Sequence, residues 1–273
     1  MSSRILGILG YPVQETPPGT LGGEAVVVCR NFVPPGGGLL EFGTFMRRHY
    51  YSRDIGRVPR IDQIYDMFEH DPVLSAQSDL FTACYWERFV GDALVGNSDR
   101  NKDDFGYLIG EDNFVSASPI YDNGRTLYPD LSEQDMRDVL ADPKEIMMRI
   151  RLSQKAALEV NGKKAGYYDM MSSGIDDELT NAVISMVPRI RKAMPAVHAF
   201  IKGCDFLSDT RRVFYSVMLA GRMAFILEPA YDMCVSRRFD KGARERLASG
   251  ADDSAADFEA GWKYARRSDG QAA

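Results

Sequence analysis

Residues 89–109 read FVGDALVGNSDRNKDDFGYLI, and residues 118–124 read SPIYDNG. The apolar beginning of the first segment predicts the end of a buried helix that stops at Gly96, and a turn rich in Asn, Ser and Asp follows it. Residues 105–109 and 114–118 are short apolar runs, and we predict that they pair as a β-hairpin. The turns at the ends of these strands carry three carboxylates: Asp99, Asp104 and Asp122.

These carboxylates suit phosphoryl transfer, which needs a carboxylate near the acceptor hydroxyl, ligands for Mg²⁺ and a cradle for the nucleotide phosphates. Asp99 suits the first role, because its loop is held by a helix on one side and a strand on the other. Asp104 and Asp122 suit the metal, since Mg²⁺ takes one or two carboxylates and completes its shell with water and phosphate oxygens. The same residue types also form ordinary turns, in which Asp and Asn bond to their own backbone. Residue types alone favour the ordinary turn, and both interpretations stay open.

The composition is that of a globular protein with room for one large domain or two lobes, with 45% hydrophobic and 26% charged residues in a chain of 273. The net charge is −6 and basic residues are mixed with acidic ones, which predicts no direct binding to nucleic acid or to anionic membranes. The chain has three histidines and no CxxC pair, so a zinc site is not expected. We expect buried thiols in a reducing compartment at the four cysteines: Cys29, Cys84, Cys204 and Cys234.

The sequence predicts a cytoplasmic protein without a membrane span. Its start, MSSRILG, lacks the features of a signal peptide. The longest apolar stretch, residues 217–227, is interrupted by Arg222 and is too short to cross a bilayer.

The N-terminal third combines short apolar runs with Gly and Pro. Residues 4–9 are predicted to be a short helical piece, and the run AVVV at 25–28 is predicted to be a buried strand. PPGGG at 34–38 breaks the chain and is a natural boundary between two lobes. Residues 39–75 are hard to assign, except that apolar spacing near 60–70 predicts a helix.

The rest of the chain reads as helical. Ser132 opens a capping-box variant before a helix that runs to Ala141, and further helices are predicted at 167–172 and 176–194, the last ended by Pro195. The most regular pattern covers 209–235 and predicts one core-facing side: Val213, Phe214, Val217, Met218, Gly221, Phe225 and Leu227.

Two segments resemble the HipA-like family of atypical Ser/Thr protein kinases. GNSDRNKDDFG at 96–106 resembles the catalytic segment of that family, roughly G-N-x-D-R-H-x-x-N-F-G. SPIYDNGRTL at 118–127 resembles its metal-binding segment, roughly A-P-x-[YF]-D-x-G-x-[ST]-L. The interval between the two aspartates also matches, and similarity at 162–167 and 211–215 extends the resemblance over most of residues 25–235.

The resemblance implies an α+β, mostly helical fold, namely a protein-kinase-like C-terminal lobe with a remnant of the N-terminal lobe. It divides the chain into a remnant of the small lobe and hinge at 1–33, a helical large lobe at 34–247 and a polar tail at 248–273. In that tail, Phe258, Trp262 and Tyr264 are expected to form at most a loosely docked helix.

The resemblance also assigns roles to individual residues. Asp99 matches the catalytic aspartate and Asp122 the metal-binding aspartate. Asp104 falls where the family has a metal-binding Asn, and Asn101 replaces the family's His. The hinge strand would offer its backbone to adenine at three positions: Cys29, Asn31 and Phe32.

These roles imply ATP with Mg²⁺ or Mn²⁺, and a protein hydroxyl as acceptor. The first 28 residues contain no lysine, whereas a complete small lobe carries a phosphate-covering loop and a nucleotide-binding lysine before the hinge. The resemblance therefore implies one of two proteins. The first is the C-terminal part of a HipA-like kinase whose start was assigned too late or whose small lobe is encoded separately, with that small lobe or an antitoxin-like protein as partner. The second is a degenerate kinase that acts as a non-catalytic protein-binding module. A third interpretation is a structural or interaction domain with this fold only. Retention of the three carboxylates favours the kinase, because unpaired acids repel one another without a cation.

Overall fold

The computed structural model describes residues 1–111, 114–153 and 155–249. It is 57% helical with small sheets, which confirms the predicted α+β, mostly helical fold. The helices are α1 (Ser2–Ile8), α2 (Phe42–His49), α3 (Ile61–His70), α4 (Ser78–Val95), α5 (Glu133–Ala141), α6 (Pro143–Met148), α7 (Tyr167–Ser172), α8 (Asp177–Lys202), α9 (Asp209–Arg222) and α10 (Glu228–Ser249). The strands are β1 (Pro18–Leu21), β2 (Glu24–Val27), β3 (Gly38–Glu41), β4 (Gly106–Ile109), β5 (Val115–Ala117), β6 (Glu159–Val160) and β7 (Lys163–Lys164).

Helix α4 is the central element and leads directly into the acidic turn. It packs against α8, α3 and α9, and Trp86, Val90 and Leu94 are fully buried. Gly96 ends the helix in the left-handed conformation at φ +67°, which glycine adopts without a Cβ penalty. The predicted buried helix and its stop at Gly96 are confirmed.

The predicted hairpin is present as β4 and β5, paired antiparallel with Leu108 opposite Ser116. A third strand, β3, pairs with β4 on the other side and was not predicted, since its four residues follow a Gly-rich breaker. Gly106 permits this pairing, because a Cβ there would lie 2.3 Å from the Leu40 carbonyl oxygen. The Phe105 and Phe42 rings stack with centroids 4.8 Å apart, so the hairpin is fixed to the aromatic core.

The N-terminal region confirms two elements and corrects one. Helix α1 is present, with Ile5 and Leu6 fully buried near α8. Strand β2 is present, but the prediction that it is buried is wrong: Val27 is 65% exposed and Val28 is 49% exposed. The cause is that β1 and β2 form a separate two-stranded sheet and do not join the three-stranded sheet of β3, β4 and β5.

In the helical part, the capping box at Ser132 is confirmed, with Asp135 as its partner. The prediction that Pro195 ends α8 is wrong, because burial of Val197 and Ile201 outweighs the one backbone hydrogen bond that a proline removes.

The predicted stripe continues from α9 into α10 through a π-helical turn at Met223–Leu227. Phe214, Met218 and Leu227 are buried as predicted. The prediction is wrong for Val213 and Phe225, which are 52% and 40% exposed. Val213 lies next to a buried position, and Phe225 lies in the π turn, whose extra residue shifts the helical repeat, so neither side chain is part of the core.

Within the described ranges, one helical stretch, residues 209–242, has the length and composition of a membrane span, and 56% of its apolar window is buried inside the protein, as in the core helix of a globular protein. Burial is confirmed for the thiols of Cys204 and Cys234, whereas Cys84 is half-buried and Cys29 is exposed, contrary to the prediction. The division at residues 33 and 247 stays a prediction, and most of the proposed tail lies outside the described residues.

Candidate active site

The acidic turn is built on the end of α4 by a buried asparagine. Asn97 donates from Nδ2 to Oδ1 of Asp92, 3.2 Å away, and its Oδ1 accepts from the backbone N–H of Asp99 at 3.1 Å. The Tyr167 hydroxyl donates to the Asn97 carbonyl from the opposite side. Asp99 is therefore placed by an Asx-type turn whose own anchor is in the core.

Arg100 joins the two acidic turns. Its buried guanidinium forms a bidentate ion pair with Asp92, with Nε–Oδ2 and Nη2–Oδ1 distances of 2.9 Å each. Nη1 donates to the carbonyl oxygens of Tyr121, Asp104 and Asp122, and Nη2 donates to Oδ1 of Asn123 at 2.7 Å. One side chain thus fixes the turn that carries Asp99 and Asp104 relative to the turn that carries Asp122. We call this set of contacts the Arg100 clamp.

Asp104 is the half-buried member of the carboxylate group. Its Oδ2 accepts from the backbone N–H of Asn101 at 3.0 Å and from the Asn101 side chain. Burial, together with the negative charges of Asp122 and Asp99, raises the pKa of Asp104 to about 6 against the opposing effects of Asn101 and Arg100. The structure therefore brings Asp104 into electrostatic range of Asp99 and Asp122, the other two predicted carboxylates.

Asp122 lies at φ +48°, in the left-handed region. Asp and Asn tolerate this conformation better than other side chains, which explains how a carboxylate can sit at the sharp turn before Asn123 and Gly124.

Asp99 is in contact with an arginine that the sequence did not point to. Nη2 of Arg57 lies 2.7 Å from Oδ1 of Asp99. The arginine side chain is 72% exposed and the aspartate side chain 30% exposed, so the pair lies at the surface. One oxygen of the Asp99 carboxylate is thus paired with the guanidinium of Arg57, from the loop between α2 and α3.

The carboxylates at 104 and 122 interact electrostatically with each other. In the part of the chain that the structure describes, no group of three or more His, Cys, Asp or Glu side chains is arranged to hold a metal. Two carboxylates are nevertheless the usual protein share of a Mg²⁺ site that is completed by water and nucleotide phosphates. Burial is the main cause of the raised pKa of Asp104, and the charges of Asp122 and Asp99 add a repulsion that a bound cation would relieve.

The three predicted hinge residues have different surroundings. Phe32 is half-buried, and its ring centroid lies 5.6 Å from that of Tyr121, the residue before Asp122. Cys29 is exposed, and exposed Asn31 accepts the backbone N–H of Val33 at 3.0 Å. The structure thus brings Phe32 next to the turn that carries Asp122. Adenine binding by residues 29–32 stays a prediction.

Sequence reasoning missed three residues of the site: Arg57, Asp92 and Arg100. A signal existed for Asp92, since a carboxylate inside the apolar run 89–95 must find a partner when buried. No local signal existed for Arg57, which lies 42 positions before Asp99.

Asp104→Asn is expected to stabilise the protein above pH 6 in metal-free buffer. The folded state raises the pKa of Asp104 to about 6, so the carboxyl adds stability below its unfolded pKa and loses it as pH rises through 6. Because the group is partly exposed, we expect a gain of only about 1 kcal/mol. Urea unfolding with EDTA at pH 7.5 and pH 4 measures it, with Asp138→Asn on the exposed side of α5 as control. An equal effect at both pH values would contradict the electrostatic origin.

No protein-family model matches the chain. Serine/threonine-protein kinase CtkA of Helicobacter pylori (strain J99) is 26% identical over 256 residues, which are 93% of this chain and 78% of CtkA. The crystal structure of the Helicobacter pylori proinflammatory kinase CtkA matches with a TM-score of 0.81 and 26% identity over 87% of this chain and 82% of that chain. HipA, from the Shewanella oneidensis MR-1 toxin–antitoxin complex with HipB and operator DNA, matches with a TM-score of 0.52 and 13% identity over 85% of this chain and 56% of that chain. The resemblance to the HipA-like kinases is therefore confirmed.

Proposed function

We propose that this chain, a homologue of CtkA with a HipA-like fold, is a Ser/Thr protein kinase that transfers the γ-phosphate of ATP to a protein hydroxyl. The observation that supports this most directly is the Arg100 clamp, which holds Asp99 in one site with the carboxylates at 104 and 122. A chain selected only for packing has no use for a half-buried carboxylate at 104 that the charges of Asp122 and Asp99 repel.

In the proposed reaction, Asp99 accepts the proton of the acceptor hydroxyl as that oxygen bonds to the γ-phosphorus. The bond from the γ-phosphorus to the bridging oxygen breaks, and ADP leaves with its electron pair. Asp104 and Asp122 would hold Mg²⁺, which neutralises charge on the phosphates. Arg100 keeps the two turns in register, and it does so through backbone carbonyls, so the carboxylates remain available.

Other parts of the prediction remain proposals about the protein in its cell. We propose a cytoplasmic location, because the substrate ATP is abundant there. An antitoxin-like protein or a separately encoded small lobe also stays a proposal, as HipA in the Shewanella complex is named with HipB.

Nucleotide binding is expected to raise the melting temperature. Saturation at about 100 times Kd adds about 2.7 kcal/mol, which is about 5–10 °C for a chain of this size. Asp122→Asn is expected to remove most of the rise, because it deletes a metal-binding charge while keeping a residue that tolerates positive φ. Thermal unfolding with ATP, with and without Mg²⁺, measures both effects.

Asp138→Asn serves as the matched control, since it removes the same charge from an exposed position on α5. Its rise should equal that of the wild type. Absence of any rise in the wild type at millimolar MgATP would reject nucleotide binding and leave the non-catalytic protein-binding module as the better interpretation.

A further inference from the structure

We propose that a basic surface beside Asp99 recognises acidic residues that flank the acceptor hydroxyl of the protein substrate, with Arg57 as its innermost cation. The basic surface is defined by four exposed side chains: Arg53, Arg57, Lys163 and Lys164. The inference rests on the proposed kinase function and adds the class of substrate.

Positive charge is concentrated here in a chain that is acidic as a whole. Residues 47–60 contain five arginines and one aspartate, and residues 155–165 contain three lysines and one glutamate, although the net charge of the protein is −6. An acidic protein that keeps such a concentration next to its catalytic loop has a local attraction for anionic groups.

The two segments form one surface because they are hydrogen-bonded to each other. The backbone N–H of Glu159 donates to the Pro59 carbonyl at 3.0 Å, and Arg60 forms a β-bridge with Glu159. Strands β6 and β7 then place Lys164 opposite Glu159. The lysine hairpin is thus attached to the loop that carries Arg57.

Arg53, Lys163 and Lys164 of the basic surface are available to a ligand, whereas Arg47 in the first segment pairs with Asp103 at 3.1 Å. Arg60 is already committed, since it pairs with both oxygens of Asp62 at 2.9 and 3.0 Å. Arg53 is 81% exposed, and its contacts are a 3.8 Å approach to Asp54 and a cation–π contact 5.2 Å from the centroid of the Tyr51 ring. For Lys163 and Lys164 no ion pair occurs within residues 1–111, 114–153 and 155–249.

Arg57 connects this surface to the chemistry. Its guanidinium lies 2.7 Å from Oδ1 of Asp99, one of the two oxygens that could accept the proton of the hydroxyl. The pair is exposed and hence weakly held. A carboxylate of the substrate offers Arg57 a replacement partner, so an acidic peptide would draw the arginine away and leave Asp99 free to accept a proton.

The surface favours a peptide over the nucleotide as its ligand. From Asp99 it extends along the 50–60 loop to the β6–β7 hairpin, whereas the carboxylates proposed to hold the metal belong to other residues, Asp104 and Asp122. Cations spread over two neighbouring segments match carboxylates spaced along an extended chain, whereas one triphosphate is short.

The experiment uses a fluorescent peptide with one serine flanked by glutamates and a matched peptide with glutamines. Fluorescence anisotropy without ATP measures binding, and initial phosphorylation rates give kcat/KM. The wild type should bind the glutamate peptide more tightly, with the preference reduced at high salt. Arg57→Gln should weaken that binding about fivefold, and Lys163→Gln with Lys164→Gln should weaken it further. Arg137→Gln, an exposed arginine on α5, is the control and should have no effect.

Phosphorylation rates provide a second measurement, which would not change if Arg57 had a purely structural role. Arg57→Gln should raise kcat for the glutamine peptide, because Asp99 is no longer occupied, and should lower kcat/KM for the glutamate peptide.

Equal binding of both peptides by the wild type would overturn the inference. So would an Arg57→Gln variant that keeps peptide binding and loses the MgATP-induced rise in melting temperature, since the arginine would then serve the nucleotide. Arg57-dependent binding of a peptide that is never phosphorylated would instead support the surface and reject the kinase function.

Discussion

Arg100→Met is expected to lower the free energy of unfolding by about 3–5 kcal/mol, because it leaves the buried carboxylate of Asp92 without its cation. The side chains of this pair are 7% and 3% exposed, so water cannot replace the lost partner. The same substitution removes the donors to the carbonyls of residues 104, 121 and 122. Equilibrium unfolding in urea, with an unchanged m-value, measures the loss.

A double variant separates stability from function. Asp92→Leu combined with Arg100→Met replaces the ion pair by apolar groups, and such replacements are commonly neutral or stabilising. We expect it to recover part of the stability, since the buried Asn97 amide loses its acceptor on Asp92, but not the phosphorylation activity, since the two turns remain unlinked. Full recovery of activity would contradict the role of the Arg100 clamp, and a loss below about 1 kcal/mol in the single variant would contradict the energetic argument.

The elements that the sequence predicted correctly carry their signals within a few residues. Gly96 at the end of an apolar run marks the stop of α4, and Ser132 with Asp135 marks the start of α5. The β4–β5 hairpin also follows from adjacent segments. Strand β3 has no such signal, because its pairing with β4 depends on the close approach at Gly106, about 66 positions away along the chain.

The site divides in the same way. The spacing of Asp99, Asp104 and Asp122 indicated a shared site, and the structure places Asp104 in electrostatic range of the other two. The burial and the hydrogen-bond partners of these carboxylates could not be predicted from the sequence, because both depend on tertiary packing. The ion pair of Asp99 with Arg57 is the clearest case, because the partner of the Asp99 carboxylate comes from a surface loop that is distant in sequence.

Asp99→Asn is expected to reduce the phosphorylation rate by about 10²–10⁴-fold, which is the usual contribution of a positioned general base. The amide keeps the size of the side chain but no longer accepts the proton of the acceptor hydroxyl. The ion pair with Arg57 is also lost, yet an exposed pair contributes at most about 1 kcal/mol, so the fold should be retained. Initial rates with labelled ATP measure the effect, and thermal unfolding with MgATP should show the same rise as the wild type.

Asp103→Asn is the matched control for this prediction, because it removes the same charge from the same loop. Asp103 pairs with Arg47 at 3.1 Å and with Lys102 at 3.0 Å, and these cations lower its pKa against the opposing effect of burial. Its carboxylate is therefore held in ion pairs with Arg47 and Lys102, so the substitution should not change the phosphorylation rate by more than about twofold. If Asp99→Asn and Asp103→Asn reduce the rate equally, the loop acts through its overall charge, and Asp99 is not the base.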